Sequence, residues 1–317
     1  MTKKIFGIAA GLGFAFGAGA LAASIVMLGN RRVDEWETLT EDDASDGDFL
    51  TLSNGTRIHF IARGDPGREP LILIHGLMDS AHSWYKNIDA LAQDHRVWAI
   101  DLIGFGYSSR VAEPTYSLNY FAQTVREFMD AQGIARASIG GHSLGGAVAL
   151  EFARLYPERV SNLILIAPGT YLVNRLTPIN LAARVPFAPR TLLGLAMTNE
   201  QARMRAWRHA LGDPSHMNPQ EKAMRVRPVQ VKGTIDALLA MAASEWASDL
   251  DEELNAITAP TLILWGDKDR TVPLRHGDRH AHALPNADYV ILEGAGHLSH
   301  IECADEVNRL MLDFLAR

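Results

Sequence analysis

Short runs of consecutive apolar residues, bounded by glycine, aspartate or proline, recur along most of the chain. They are LILIHG from Leu71, RVWAIDL from Arg96, RASIGG from Arg136, VSNLILIAP from Val160, PTLILWGD from Pro260 and DYVILEGAG from Asp288. A strand with one wet face alternates apolar and polar residues, whereas a strand covered on both faces reads as a continuous apolar run. These six runs therefore predict a buried, mostly parallel sheet. Between them the apolar positions fall at helical spacing, as in Leu118, Phe121, Val125 and Phe128, or Ala147, Leu150, Phe152 and Leu155. Strands alternating with helices predict an α/β fold with a doubly wound sheet. Ahead of the first run, FLTLSNGTRIHFIARG divides into two alternating stretches around Asn54-Gly55, a pair suited to a two-residue hairpin turn with both φ angles positive.

Two regions break the alternation. From Gly169 to Trp246 there is no clear strand run, and Pro178, Pro186, Pro189, Pro214, Pro219 and Pro228 interrupt an otherwise helical pattern. This predicts a helical cap at 169–246 inserted into a core made of 49–168 and 247–317. Ile179, Leu181, Val185, Phe187, Leu192, Leu193, Leu195 and Met197 supply apolar surface for an acyl pocket or for packing the cap on the core. The second region is the N-terminus, where 25 residues from Ile5 to Gly29 carry no charge. About 20 apolar residues suffice to span a bilayer, so residues 1–32 are expected to hold a transmembrane helix. Lys3, Lys4 and the terminal amine against Arg31 and Arg32 would put the bulk of the chain outside the cytoplasm. The competing expectation is a secretory peptide cleaved after the small-x-small run Ala20 to Ala22; the apolar run continuing through Ile25, Val26, Met27 and Leu28 argues against it. Residues 33–48 hold eight acidic side chains and few apolar ones, the composition of a solvated acidic spacer.

Composition narrows the function. The 317 residues are 47% hydrophobic and 21% charged, enough for one large core, and the net charge of −7 comes without the basic stripe of a nucleic-acid binder. The cap alone has ten Lys and Arg against five Asp and Glu, which reads most simply as a solvated basic face. The one cysteine, Cys303, rules out an intramolecular disulfide and is expected as a small buried apolar side chain.

The chemistry begins at GGHSLGG, Gly140 to Gly146. Ser143 stands where the apolar run ASI ends and a helical pattern begins near Leu144, flanked by Gly141 and Gly145. Glycine there lets strand turn sharply into helix, presents the hydroxyl and places it at a helix N-terminus, where negative charge is favoured. A serine becomes a useful nucleophile only when a base takes its proton and an acid orients that base. LILWGDKDRTVP places Asp267 and Asp269 after one buried run, and ILEGAGHLSHIE places His297 after the next. Asp267 directly follows Gly266 and can cap the turn, while Asp269 stands further out. His300 falls a turn beyond His297 and reads as a cap or surface residue, and His95, His276, His280 and His282 as solvated. The oxyanion donors are expected to be the N–H groups of Leu144 and of Leu77, after LILIHG. His75 and the turn DLIGFGYS, with Asp101, read as structural.

From about Phe49 to Arg317 the chain resembles the α/β-hydrolase superfamily, in particular its capped lipase and esterase branch. The likeness rests on HGLMDSAHSW, DLIGFGYSS, GHSLGG, GDKDRTVP and GAGHLSHIE. The resemblance implies Ser143 as nucleophile, Asp269 as acid, His297 as base, and Leu77 and Leu144 as oxyanion donors. Serine rather than aspartate at 143 disfavours the family's epoxide hydrolase and dehalogenase chemistries. The expected function is hydrolysis of carboxylic esters, of lipid or acyl type, with membrane contact through the N-terminal segment and no nucleic-acid partner. A carbon-carbon bond hydrolase or acyltransferase on the same triad is the alternative, and a non-catalytic binding module comes last. No metal or organic cofactor is implied.

Overall fold

The computed structural model describes residues 26–111, 116–170, 188–216, 218–244, 246 and 248–317. The apolar runs form strands β3 (Glu69–Ile74), β4 (His95–Ile100), β5 (Ala137–His142), β6 (Val160–Ile166), β7 (Thr261–Gly266) and β8 (Ala287–Leu292). With β1 (Asp48–Thr51) and β2 (Arg57–Arg63) they make one sheet in the order β1-β2-β4-β3-β5-β6-β7-β8, parallel from β4 through β8. Continuous apolar runs follow from the two-sided burial. Ile72 and Ile74 face a layer that includes the helices Leu118–Ala131 and Leu144–Leu155, while Leu71 and Leu73 face the layer of the C-terminal helix Ala304–Leu315. β8 departs from this expectation. As the outer strand it has a neighbour on one side only, and Ile291 is 49% exposed.

The hairpin of β1 and β2 forms with a different turn. Leu52 N–H bonds to Thr56 O, leaving Ser53, Asn54 and Gly55 as a three-residue loop in which Gly55 alone has positive φ, at 83°. The Asn54 side chain instead accepts from Thr56 N–H at 2.9 Å, which closes the loop without a second positive φ.

Between β6 and β7 the described part of the cap consists of helices Ala188–Thr198, Glu200–Ala210, Pro219–Val226 and Thr234–Ala243. Of the apolar supply expected for the cap, Ile179, Leu181, Val185 and Phe187 lie outside the described residues. Met197 is buried and Leu193 packs against the main core cluster, so these two serve packing.

Residues 33–48, expected as a solvated acidic spacer, keep many of their side chains exposed but touch the cap and core at several points. Residues 26–36 form a helix laid on the cap, with Val33 fully buried against Gly194 and Ile235. Burying that valine contributes about 2 kcal/mol. Glu37 caps the helix Thr234–Ala243, accepting from Gly233 N–H at 3.0 Å and Ile235 N–H at 2.7 Å; burial nevertheless pushes its carboxyl above the usual range. Leu39 makes a parallel bridge to Val231, Arg190 pairs with Asp34, and Arg57 with Asp42. Asp34, Glu37 and Asp42 thus meet cationic or N–H partners from the cap and core. Among the described residues no helix is long and apolar enough to cross a membrane; of the expected span from Ile5 to Gly29, all but residues 26–29 lies outside them.

The segment ends on a buried ion pair. His59 Nδ1 lies 2.7 Å from Asp101 Oδ2 and its Nε2 lies 2.8 Å from the Asp46 carbonyl, both groups that can only accept. Both ring nitrogens therefore carry protons and the ring is cationic. Burial opposes that charge, but the Asp101 hydrogen bond and charge outweigh it and raise the histidine above its ordinary 6.5. Burial likewise opposes Asp101, and His59 outweighs it and holds the carboxyl down at about 2. Asp101 also accepts from the N–H groups of Ala81 and Tyr107. Its structural reading is correct, since a Cβ at Gly106 would stand 1.9 Å from its carboxyl. A raised histidine contributes its stability fully below pH 6.5 and loses it as pH rises through the raised value; a depressed aspartate keeps its contribution until pH falls below 3.8 towards 2. The melting midpoint should therefore decline on the alkaline side of pH 6.5, and His59→Gln should lower the midpoint at pH 6 while removing that decline. An unchanged alkaline decline in His59→Gln would assign it elsewhere.

Candidate active site

One residue, Ser143, joins the end of β5 to the helix Leu144–Leu155. So short a connection forces the backbone to φ 52° and ψ −114°, a region that costs a residue with a Cβ about 1–3 kcal/mol. Three hydrogen bonds hold it: Ser143 N–H to Ile166 O at 2.9 Å, and Ala147 N–H and Gly169 N–H to Ser143 O at 3.1 and 2.9 Å. The flanking glycines are steric necessities. A Cβ at Gly141 would stand 2.2 Å from Gly145 O, and one at Gly145 would stand 2.2 Å from Ile74 O. The turn thus holds the serine half-buried at the carboxyl edge of the sheet, where sites of such sheets gather.

The ends of β7 and β8, at the same edge of the sheet, supply the other groups. After β7, Asp267 accepts from Gly294 N–H at 2.7 Å and ties its turn to the one after β8. Asp269 is buried; its Oδ1 accepts from Thr271 and Val272 N–H, each at 2.8 Å, and its Oδ2 lies 2.7 Å from His297 Nδ1. A carboxylate so held can only accept, so Nδ1 carries the proton and Nε2 is left with its lone pair, the tautomer a general base requires. His297 is reached from the serine side as well. His142, the residue before Ser143, donates Nε2–H to His297 O at 2.9 Å, and the two rings are 4.7 Å apart. Burial, then the neighbouring His300, His297 and Arg225, push His142 well below its ordinary value and keep it neutral. The structure thus brings Asp269 into contact with His297, and His297 into contact with the turn that carries Ser143.

The expected oxyanion donors flank this point. Leu144 N–H opens its helix, where first-turn N–H groups lack intrahelical acceptors. Leu77 lies in a tight turn closed by Asp79 N–H to Gly76 O at 3.3 Å, with Met78 at φ 59°; a Cβ at Gly76 would come within 3.2 Å of Ser143 Cβ. His75 shapes this loop. It donates from Nδ1 to Gly76 O at 2.7 Å and accepts Leu102 N–H on Nε2 at 3.0 Å, which leaves no nitrogen for proton transfer.

Several groups near the site escaped the sequence reading. His300 is fully buried between Trp84 and His142 rather than at the surface, and His95, His276 and His280 are buried where solvation was expected; His282 is exposed. Cys303 is half-buried, its thiol pushed up to about 11 by burial. Arg225, from the cap helix Pro219–Val226, pairs with Asp79 of the Gly76–Asp79 turn at 2.7 Å, and among the described residues its buried Nη2 has no hydrogen-bond partner. Glu302, five residues after His297, bonds to the cap and to the His297 turn together. The only sequence signal for Arg225 was the basic excess of the cap. For Glu302 it was a lone acid between Glu293 and Asp305.

Residues 69–304 match the alpha/beta hydrolase fold family. A 2-hydroxy-6-oxononadienedioate/2-hydroxy-6-oxononatrienedioate hydrolase of Paraburkholderia phymatum is 32% identical over 294 residues, spanning 89% of this chain and 99% of that one. A 2-hydroxy-6-oxo-6-phenylhexa-2,4-dienoate hydrolase of Burkholderia cepacia is 32% identical over 278 residues, spanning 84% and 96%. The crystal structure of an enol-lactonase from Burkholderia xenovorans LB400 superposes with a TM-score of 0.69 at 24% identity, over 85% of this chain and all of the other. With the sheet order, the serine turn and these relatives in agreement, the chain belongs to the alpha/beta hydrolase fold family.

Proposed function

We propose that this enzyme is a serine-triad hydrolase of small conjugated oxo acids, cleaving a carbon-carbon bond beside a ketone. This reading displaces the lipid or acyl ester expected from the motifs. The observation that carries the chemistry is the His297–Asp269 hydrogen bond, at 2.7 Å, at the same sheet edge as the strained turn of Ser143. The relatives support the substrate class. A 2-hydroxy-6-oxo dienoate contains a ketone and a carboxylate but no ester, so its hydrolysis has to break a carbon-carbon bond.

The reaction then follows from the residues. His297 takes the Ser143 proton as the hydroxyl attacks the ketone, and the Leu77 and Leu144 N–H groups receive the oxyanion. The 2-hydroxydiene first moves its hydroxyl proton to C5, giving the 2,6-dioxo form. Collapse then expels C5, whose electron pair spreads through the adjoining double bond onto the 2-oxo group, and the resulting dienolate takes the proton held by His297. Water, deprotonated by His297, then releases the acid from the acyl-enzyme. Asp269 holds the imidazole in the required tautomer throughout and stabilises its cationic form. Arg225 supports a carboxylate-bearing substrate, because its buried Nη2 is an unpartnered donor between the cap and the oxyanion loop.

Turnover of 2-hydroxy-6-oxo-6-phenylhexa-2,4-dienoate, followed by loss of its absorbance, should exceed that of p-nitrophenyl esters of any chain length in kcat/KM. Preference for a long-chain ester would restore the lipid reading. Ser143→Ala should abolish both activities, and Asp269→Asn should lower kcat roughly 10²- to 10⁴-fold by supplying the wrong tautomer. Arg225→Met should raise KM for the dienoate about tenfold or more while leaving KM for p-nitrophenyl acetate within about twofold. Equal effects on the two substrates would remove Arg225 from carboxylate recognition.

A further inference from the structure

The cap and the turn that carries His297 meet backbone to backbone. The cap helix Glu200–Ala210 ends with Ala210 O accepting His297 N–H at 2.7 Å. Two residues on, Gly212 lies against the turn so closely that a Cβ there would stand 2.4 Å from Gly294 O and 2.7 Å from Gly296 N. A Cβ at Gly296 would in turn stand 2.2 Å from Gly212 N. Such an approach leaves N–H groups of both strands of chain facing the same space, and they need an acceptor.

Glu302 provides it. It closes the helical turn Ser299–Glu302 that follows His297, and its two carboxylate oxygens divide between the two sides of the joint. Oε2 accepts from Gly212 N–H at 2.7 Å and Asp213 N–H at 3.2 Å, both of the cap, while Oε1 accepts from Gly296 N–H at 3.0 Å, next to His297. Charge-assisted bonds of this kind are stronger and shorter than neutral ones. Glu302 holds the Ala295–Gly296 peptide and Ala210 O holds His297 N–H; together they fix the point from which the imidazole swings, and a base displaced by about 1 Å loses much of its effect.

We propose that Glu302 is a positioning residue for His297. It fastens the end of a cap helix to the turn of the base, so that the reach of the imidazole to Ser143 depends on the seating of the cap. The proposal rests on the roles given above to Ser143 and His297. A carboxylate is needed because only an acceptor on both oxygens serves all three N–H groups; the amide of glutamine turns a donor toward one side.

The test uses the full chain and a fluorophosphonate probe, which labels an activated serine without needing the cap to recognise it. Glu302→Gln, Glu302→Ala and Gly212→Ala, the last acting from the cap side, should each slow labelling of Ser143 roughly tenfold or more. The same variants should lower kcat for the dienoate with KM within about twofold, with Glu302→Asp recovering part of the rate. Glu302→Gln is close to isosteric and keeps the test alive where the alanine variants unfold; cooperative melting confirms the fold of each. Folded Glu302→Gln protein labelled at the wild-type rate, or a rise in KM at unchanged kcat, overturns the proposal. Wild-type labelling in Ser143→Ala would instead overturn the triad assignment on which it stands.

Discussion

The site depends on one close approach of backbone to backbone. The helix Leu144–Leu155 begins without a connecting loop and rests its first turn on the ends of β3 and β5, near enough that Gly145 would collide with the Ile74 carbonyl if it carried a side chain. That contact sets the unfavourable φ of Ser143, and the bonds to Ile166 O and from Gly169 N–H maintain it. It also fixes the β5 end relative to the β3 end, from which the Gly76–Asp79 loop departs. Hydroxyl and the Gly76–Asp79 loop are thus placed by the same packing.

Much of this was legible in the sequence because the local chemistry and the global arrangement demand the same residues. Glycine at 141 and 145 is required by the turn itself, and the two-sided burial of β3, β5, β6 and β7 leaves continuous apolar runs. Legibility fails where the partner lies far along the chain. Eight acids in sixteen residues read as solvated, yet Asp34, Asp42 and Asp46 meet Arg190, Arg57 and His82, and Glu37 meets the N-terminus of a cap helix. The acidic segment and the basic cap each looked like an isolated charged surface; they are partly each other's counterions. Histidine fails for a related reason. Its ring suits water, a carboxylate or an aromatic neighbour about equally, so spacing did not reveal that His59 is a buried cation or that His300 is stacked against Trp84. Strand β8 was read by its apolar content, which an edge strand shares with a central one.

Among the described residues these long-range contacts hold the cap from two sides, besides the Arg225–Asp79 pair. On one side the segment 26–48 crosses it, burying Val33 and Glu37, and continues to the His59–Asp101 pair beside the oxyanion loop. On the other, the end of the helix Glu200–Ala210 is joined to the turn of His297. The cap is therefore bonded to the loops on both sides of the nucleophile. Its seating and the geometry of the reacting groups share hydrogen bonds, and a change in either is felt by the other.

The same reasoning explains why the motifs favoured an ester and the relatives a carbon-carbon bond. Serine, histidine, aspartate and two N–H donors provide attack on a carbonyl and a place for the oxyanion, and they do so for an ester or a ketone alike. What separates the two substrates is the leaving group and whatever charge lies beyond it. Those are met by residues outside the triad, and under the function proposed above the candidate is the guanidinium that the cap brings to within 2.7 Å of Asp79 on the Gly76–Asp79 turn. Asp79 holds that cation in a buried position and, by accepting at Nη1, leaves Nη2 free to donate. The two residues of this pair stand 146 positions apart, in segments whose local patterns show only a loop and a helix, which is why the proposed specificity is invisible to a local reading.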